Sequence, residues 1–174
     1  MAKLNQPKTS DYPFFYETYI KLVPETDLVK ALRDSNKEVL SFFQNNADKD
    51  WDYRYETEKW SPKEILLHLI DTERIMSYRA LVGARGDRSH LPGFDQKGYI
   101  EQSNASKRSL ASLISEWKTV RNASISLFKN LNRKEAERMA YAVAQNVTPK
   151  ALGYILVGHP RHHIAVLKDK YNFV

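Results

Sequence analysis

Five histidines occur in the chain, and three of them have the types of neighbour and the spacing that metal chemistry requires. The run Gly158-His159-Pro160-Arg161-His162-His163 contains a His-x-x-x-His pair. Residues four apart are neighbours on one helix face, so both imidazoles can reach one cation. They are in phase with Leu152, Ile155, Leu156 and Val166, which turns that face inward. His68 lies among Ile65, Leu69 and Ile75 on a second, mainly apolar stretch. Each feature alone has a bland explanation: a hydrogen-bonded core histidine, or a chance pair. Together, three inward imidazoles from two helices can surround one ion and leave a coordination position open, as catalytic zinc sites do. His162 also shares the face of His159; His163 is the preferred ligand and His162 a pocket group beside it. His90 falls in a loop and is expected in solvent.

What is missing narrows the chemistry. No His-Glu-x-x-His occurs, and no Glu stands three residues before a histidine, which disfavours the zinc-protease helix and the dinuclear carboxylate bundle. No Gly-x-Ser-x-Gly, P-loop or dinucleotide glycine pattern is present. With no cysteine, disulfides, thiolate ligands and a cysteine nucleophile are excluded. Asp71, one turn after His68, and Glu73 are candidates to orient an imidazole through its second nitrogen or to act as a base. The competing assignment for them is a Glu73–Arg79 or surface ion pair.

Four helical patterns must position these residues. The first covers about 25–46, with Leu28, Leu32, Val39, Leu40 and Phe43 at helical intervals. An aromatic arm, Tyr12 to Tyr19, precedes it and is expected to pack on the other helices. The second opens on Ser61-Pro62-Lys63-Glu64, a cap, a first-turn proline and a capping-box glutamate, and runs through Ile65, Leu69, Ile75, Met76 and Leu81 to Gly83–Gly86. A structured loop follows, carrying Leu91-Pro92-Gly93-Phe94-Asp95. The third covers about 106–131, with Leu110, Leu113, Trp117, Val120, Leu127 and Phe128 as its core side. Asn132 caps a further short turn, and an extended stretch near 141–147 is only weakly marked. The last helix opens on Thr148-Pro149 and runs to about Lys170. Helices of about 20 to 26 residues are some 30–39 Å long, and matched lengths favour an all-α, four-helix bundle.

The 174 residues suit a single domain, 1–174, with residues 1–11 expected as a loose arm. The N-terminus lacks an apolar signal region and no stretch has the length of a membrane span, so a soluble, cytoplasmic protein is expected. Lys and Arg outnumber Asp and Glu by 27 to 21, a formal +6. The basic residues are interspersed with acids rather than gathered into a stripe, so no nucleic-acid partner and no membrane partner are expected. A homodimer through an apolar helix face is compatible with the sequence.

Three segments taken in order resemble the DinB-like superfamily: Trp60-Ser61-Pro62-Lys63-Glu64-Ile65-Leu66-Leu67-His68-Leu69-Ile70-Asp71-Thr72-Glu73, then Leu91-Pro92-Gly93-Phe94-Asp95, then Gly158-His159 with His162-His163. Within it the chain looks most like the YfiT-type branch, whose members carry a predicted metal-dependent hydrolase label. The resemblance runs from about Tyr12 onward. It implies a four-helix bundle in which His68, His159 and His163 bind zinc or nickel. It also implies a choice of activity, because several relatives are transferases or isomerases using low-molecular-weight thiols such as bacillithiol or mycothiol. The chain departs from the common pattern at Pro160, where an acidic residue often follows the first histidine. A proline inside a helix removes one backbone hydrogen bond and tends to kink it, which bears on where His163 points.

The expectation is therefore a metal-dependent enzyme acting on a small-molecule substrate, either hydrolysing it with metal-bound water or joining it to a thiol cosubstrate. The alternative is a bundle that binds a metal or small ligand without catalysis.

Overall fold

The computed structural model describes residues 3–174. A short helix α1 (Glu17–Ile20) precedes the long α2 (Leu28–Asn45) and α3 (Pro62–Arg85). A two-residue strand β1 (His90–Leu91) and a small helix α4 (Gln96–Glu101) lie in the next link. Then come α5 (Leu110–Lys129), the single turn α6 (Arg133–Ala136), strands β2 (Ala140–Ala142) and β3 (Gln145–Val147), and α7 (Pro149–Tyr171).

The helix starts follow local chemistry. Ser61 Oγ accepts from the Glu64 amide at 3.4 Å while Glu64 Oε2 accepts from the Ser61 amide at 2.7 Å. Asn132 and Glu135 repeat that reciprocal box at α6, and Thr148 Oγ1 accepts from Ala151 at 3.1 Å to open α7. At the end of α3, Gly86 adopts φ 74°, a left-handed conformation that glycine enters at little cost.

Helix α3 packs against α7 and α5, and α2 packs against the same two, so α2 and α3 stand at opposite corners. The start of α3 meets the end of α7, where the Tyr171 hydroxyl donates to the Trp60 carbonyl. The end of α3 meets the start of α7, with Gly83 against Pro149. These two helices are therefore antiparallel. In contrast α3 and α5 run parallel, since Arg74 pairs with Glu116 and, farther along both helices, Ser77 with Ser124. Parallel neighbours need a connection that returns along the bundle, and the link containing α4 does this, bringing Ile100 and Ala105 into the apolar cluster that holds Ile65, Leu66 and Trp117.

The core divides into two apolar clusters. One holds Leu28, Met76, Phe128, Leu152 and Ile155; the other holds Phe43, Leu66, Leu113, Trp117 and Leu167. Buried polar side chains, including His68, Thr72, Glu73, Arg121 and His159, come at intermediate positions along the same helices.

Two expectations need correction, and a third becomes definite. The segment expected as a loose arm is packed from Leu4 onward: Leu4 is buried, its carbonyl accepts from the Leu28 amide at 3.1 Å, and Asp11 pairs with Lys150 at 3.0 Å. Residues 1 and 2 lie outside the described residues. The extended stretch expected near 141–147 is present as an antiparallel hairpin, Ala140 opposite Val147, with β1 added in parallel against β2. Leu81, placed in the core on periodicity, is 38% exposed. No helix of the described residues is long and apolar enough to cross a membrane.

Candidate metal centre

The antiparallel contact of α3 with α7 brings His68 opposite His159 and His163. The Nε2 atoms of His68 and His159 lie 3.1 Å apart, and those of His163 and His159 are also 3.1 Å apart. The three possible ligand atoms lie within 4.8 Å of one another. Tetrahedral ligands at zinc–nitrogen distances of 2.0–2.1 Å would be separated by about 3.3 Å, so the donor set fits a small divalent ion. Neutral imidazole is the form that binds a metal. Burial holds His68 down to about 4 and His163 down to about 3, with the neighbouring histidines adding to the effect at His163. His159 is pushed well below its ordinary value, first by burial and then by His163 and His68.

Aromatic groups fix the rings. Trp60 stacks at a tilt over His68 with centroids 4.9 Å apart, and Tyr19 meets His159 edge-on at 5.2 Å. Tyr19 reaches that position because Gly158 has no side chain: a Cβ there would lie 2.0 Å from the Tyr19 carbonyl oxygen. Gly158 thus lets α1 lie directly on α7 beside the first ligand candidate.

Pro160 does not break α7, which is continuous from Pro149 to Tyr171. The proline removes the amide that would have served the Leu156 carbonyl, four residues back. Arg121 Nη2 on α5 donates to that carbonyl instead, at 2.8 Å. Its charge is balanced by Glu73 on α3, with Nη2 and Oε2 3.0 Å apart and both side chains almost wholly buried. His159 and His163 therefore keep the same face.

The other candidate residues separate. Glu73 pairs with Arg121 rather than Arg79, and burial raises its pKa against the pull of that arginine. Asp71 turns to Arg74, 3.6 Å away, and its pKa is raised by burial. Neither is hydrogen-bonded to an imidazole: Asp71 is turned to Arg74, and Glu73, five residues after His68, is turned to Arg121 of α5. The group that does approach is Thr72, whose hydroxyl lies 3.5 Å from His68 Nδ1, a long contact. His162 sits at the edge, with ring centroids 5.1 Å from His163 and 5.6 Å from Tyr19. His90 is exposed, lies outside the triad and stacks on Tyr141.

Two openings flank the triad. On the His163 side, a cleft of about 200 Å³ is lined by Trp60, Ile65, Tyr171 and Glu58. On the His159 side, a cleft of about 270 Å³ is lined by Tyr16, Tyr19, Thr72, Met76, Arg79 and Phe94. Sequence reasoning overlooked Arg79 and Arg121 as buried groups. The signal was there: Arg79 continues the inner face of His68, Thr72 and Met76, and Arg121 lies in phase with Trp117, Ser124 and Phe128.

The sequence profile of the DinB superfamily matches residues 31–167, which include all three histidines. The chain belongs to the DinB superfamily. A comparison with curated proteins finds no match. Among solved structures, this DinB-superfamily chain is similar to YfiT from Bacillus subtilis, described as a probable metal-dependent hydrolase with an unusual four-helix bundle topology. The TM-score is 0.72 at 16% identity, over 95% of this chain and 91% of that one. At that identity the likeness establishes the shared four-helix-bundle fold.

Proposed function

We propose that this chain is a metal-dependent enzyme in which His68, His159 and His163 hold one zinc or nickel ion. The observation that carries the reading is the convergence of three neutral imidazoles, those of His68 and His159 buried and that of His163 half-buried, beside two open clefts. A divalent ion bound there supplies a Lewis acid that lowers the pKa of a coordinated water or thiol toward neutrality.

The chain's own residues then have separate tasks. Trp60 and Tyr19 restrict the ligand rings and shield them from bulk water. Burial raises the pKa of Tyr19, so its hydroxyl remains protonated and can donate a hydrogen bond into the His159-side cleft. His162, half-buried at the edge of the cluster, is placed to carry a proton between the site and solvent.

Hydrolysis is the first reading, in keeping with the description of YfiT as a probable metal-dependent hydrolase. Thiol transfer is the second, and one observation favours it: no carboxylate lines the His159-side cleft to serve as a base for water. With no cysteine in the chain, the thiol would come from a cosubstrate. The test is turnover of ester, amide and electrophile panels by zinc- and nickel-loaded protein, with and without a low-molecular-weight thiol. Metal-dependent ester or amide cleavage without thiol supports hydrolysis, and metal-dependent consumption of thiol and electrophile supports transfer. A loaded protein inactive across all panels contradicts the enzyme reading and leaves a ligand-binding bundle.

A further inference from the structure

Arg79 is only 3% exposed, and arginine is seldom buried so deeply without a carboxylate partner. The chain's other deeply buried arginine, Arg121, follows the rule by pairing with Glu73. Arg79 does not. Its Nη2 donates to the Pro92 carbonyl at 2.7 Å, its Nη1 lies 3.6 Å from Met76 Sδ, and it acts on the Tyr16 hydroxyl. All three partners are neutral. They leave a full positive charge on a residue that lines the cleft shared with His159.

The rest of that cleft is mostly apolar. Phe15, Tyr16, Tyr19, Phe94 and Ile155 give it an apolar and aromatic wall, and no Asp or Glu lines it. Three neutral histidines would leave an ion bound beside it with its whole positive charge. Cation and guanidinium would then lie along one wall with no anion from the protein between them, an arrangement that an incoming anion relieves. A phosphate dianion would want a second basic side chain, and the cleft lining offers none. A single planar fork matches a carboxylate, two oxygens to two N–H groups. His68 and Arg79 lie on one face of α3 about three turns apart, roughly 16 Å along the axis, and helical side chains lean back toward the N-terminus. The anchor is thus set back from the ion by the length of a small molecule.

We infer that the cleft between α1, α3 and the Pro92–Phe94 loop takes a small molecule with an apolar or aromatic body and a carboxylate, which Arg79 anchors. The inference rests on the reading of the site as one that accepts a small-molecule substrate, and it names that substrate's class. The loop that shapes the cleft is the Leu91-Pro92-Gly93-Phe94-Asp95 segment: Pro92 orients the arginine, Phe94 walls the cleft, and Asp95 caps α4.

The test is calorimetric titration of the full chain, zinc-loaded and metal-free, with phenylacetate, phenylpropanoate and phenylbutanoate beside their neutral amides. In the metal-free wild type at least one carboxylate should bind ten times or more tightly than its amide. Arg79→Gln should erase that preference while leaving the zinc content unchanged, and Arg79→Lys should keep part of it. Equal binding of acids and amides by the wild type overturns the inference without any variant, so a poorly folding Arg79→Gln does not shield it. An undiminished preference in folded Arg79→Gln also overturns it, as does a preference seen only in the zinc-loaded form, which would make the ion the anchor. A metal-free protein that keeps the Arg79-dependent preference but never takes up metal would sink the metal reading and leave this inference standing.

Discussion

Arg121 donates a 2.8 Å hydrogen bond to the carbonyl of Leu156, the acceptor that Pro160 leaves without its helical donor. Three helices meet in this contact, since Glu73 of α3 balances the arginine of α5 at the proline of α7. It lies within one turn of His159 and explains how a proline can sit between two candidate ligands four residues apart. Arg121→Met should cost about 3–5 kcal/mol, because it strands a buried carboxylate as well as a carbonyl. Adding Glu73→Met should recover most of that loss. Urea unfolding of the singles and the double measures the coupling, and simple additivity would contradict the network.

Gly158 is a second point of close approach. Gly158→Ala would drive a methyl into the Tyr19 carbonyl, so α1 must lift from α7. A loss of roughly 1–3 kcal/mol is expected, in line with other overpacked contacts. The Tyr19 ring should leave His159 at the same time, raising the affinity of the site for small competing ligands such as imidazole. A variant as stable as wild type would show that α1 is not held there.

The surroundings of His68 allow a paired comparison. Thr72→Val should weaken zinc affinity by about tenfold at most, since the hydroxyl contact to Nδ1 is long at 3.5 Å. Asp71→Asn should leave zinc affinity unchanged, because Asp71 faces Arg74. Competitive chelator titration separates the two, and a larger effect at Asp71 would return it to the site.

Stability without metal should depend on pH with a defined sign. Burial lowers His68 to about 4 and His163 to about 3 from the ordinary 6.5. Between those limits the unfolded chain binds more protons than the folded one. Stability therefore rises with pH through this window and falls as pH drops below 6.5, by up to about 1.4 kcal/mol per pH unit for each histidine that charges on unfolding. Urea unfolding of chelator-treated protein at about pH 7 and about pH 5 reads the slope. His68→Gln should flatten it, and a wild-type slope near zero would mean that the rings are not held neutral.

The parts of the fold that rest on local signals were legible in the sequence. Ser61-Pro62-Lys63-Glu64 marks the first turn of α3, Thr148-Pro149 marks that of α7, and periodicity places His68 and His159 inward. The hairpin was harder to see because its turn residues, Val143 and Ala144, hold φ of 54° and 59° without a glycine, asparagine or aspartate. A β-branched residue in that region is strained, so no turn signal announces it. The parallel course of α3 and α5 depends on where the α4 link docks, which periodicity does not encode. Asp71 and Glu73 attracted roles by nearness to His68 in sequence. Their partners, Arg74 and Arg121, depend on side-chain direction and on a helix distant in the chain.

His68, His159 and His163 are expected to bind one divalent ion together. Elemental analysis of tag-free wild type beside folded His68→Ala, His159→Ala and His163→Ala tests it most directly. About one zinc or nickel ion per chain in the wild type, lost in each variant, is the expected result. Wild type that takes up neither ion after incubation with both, or variants that retain a full complement, would contradict it and make the three histidines a hydrogen-bonded part of the core.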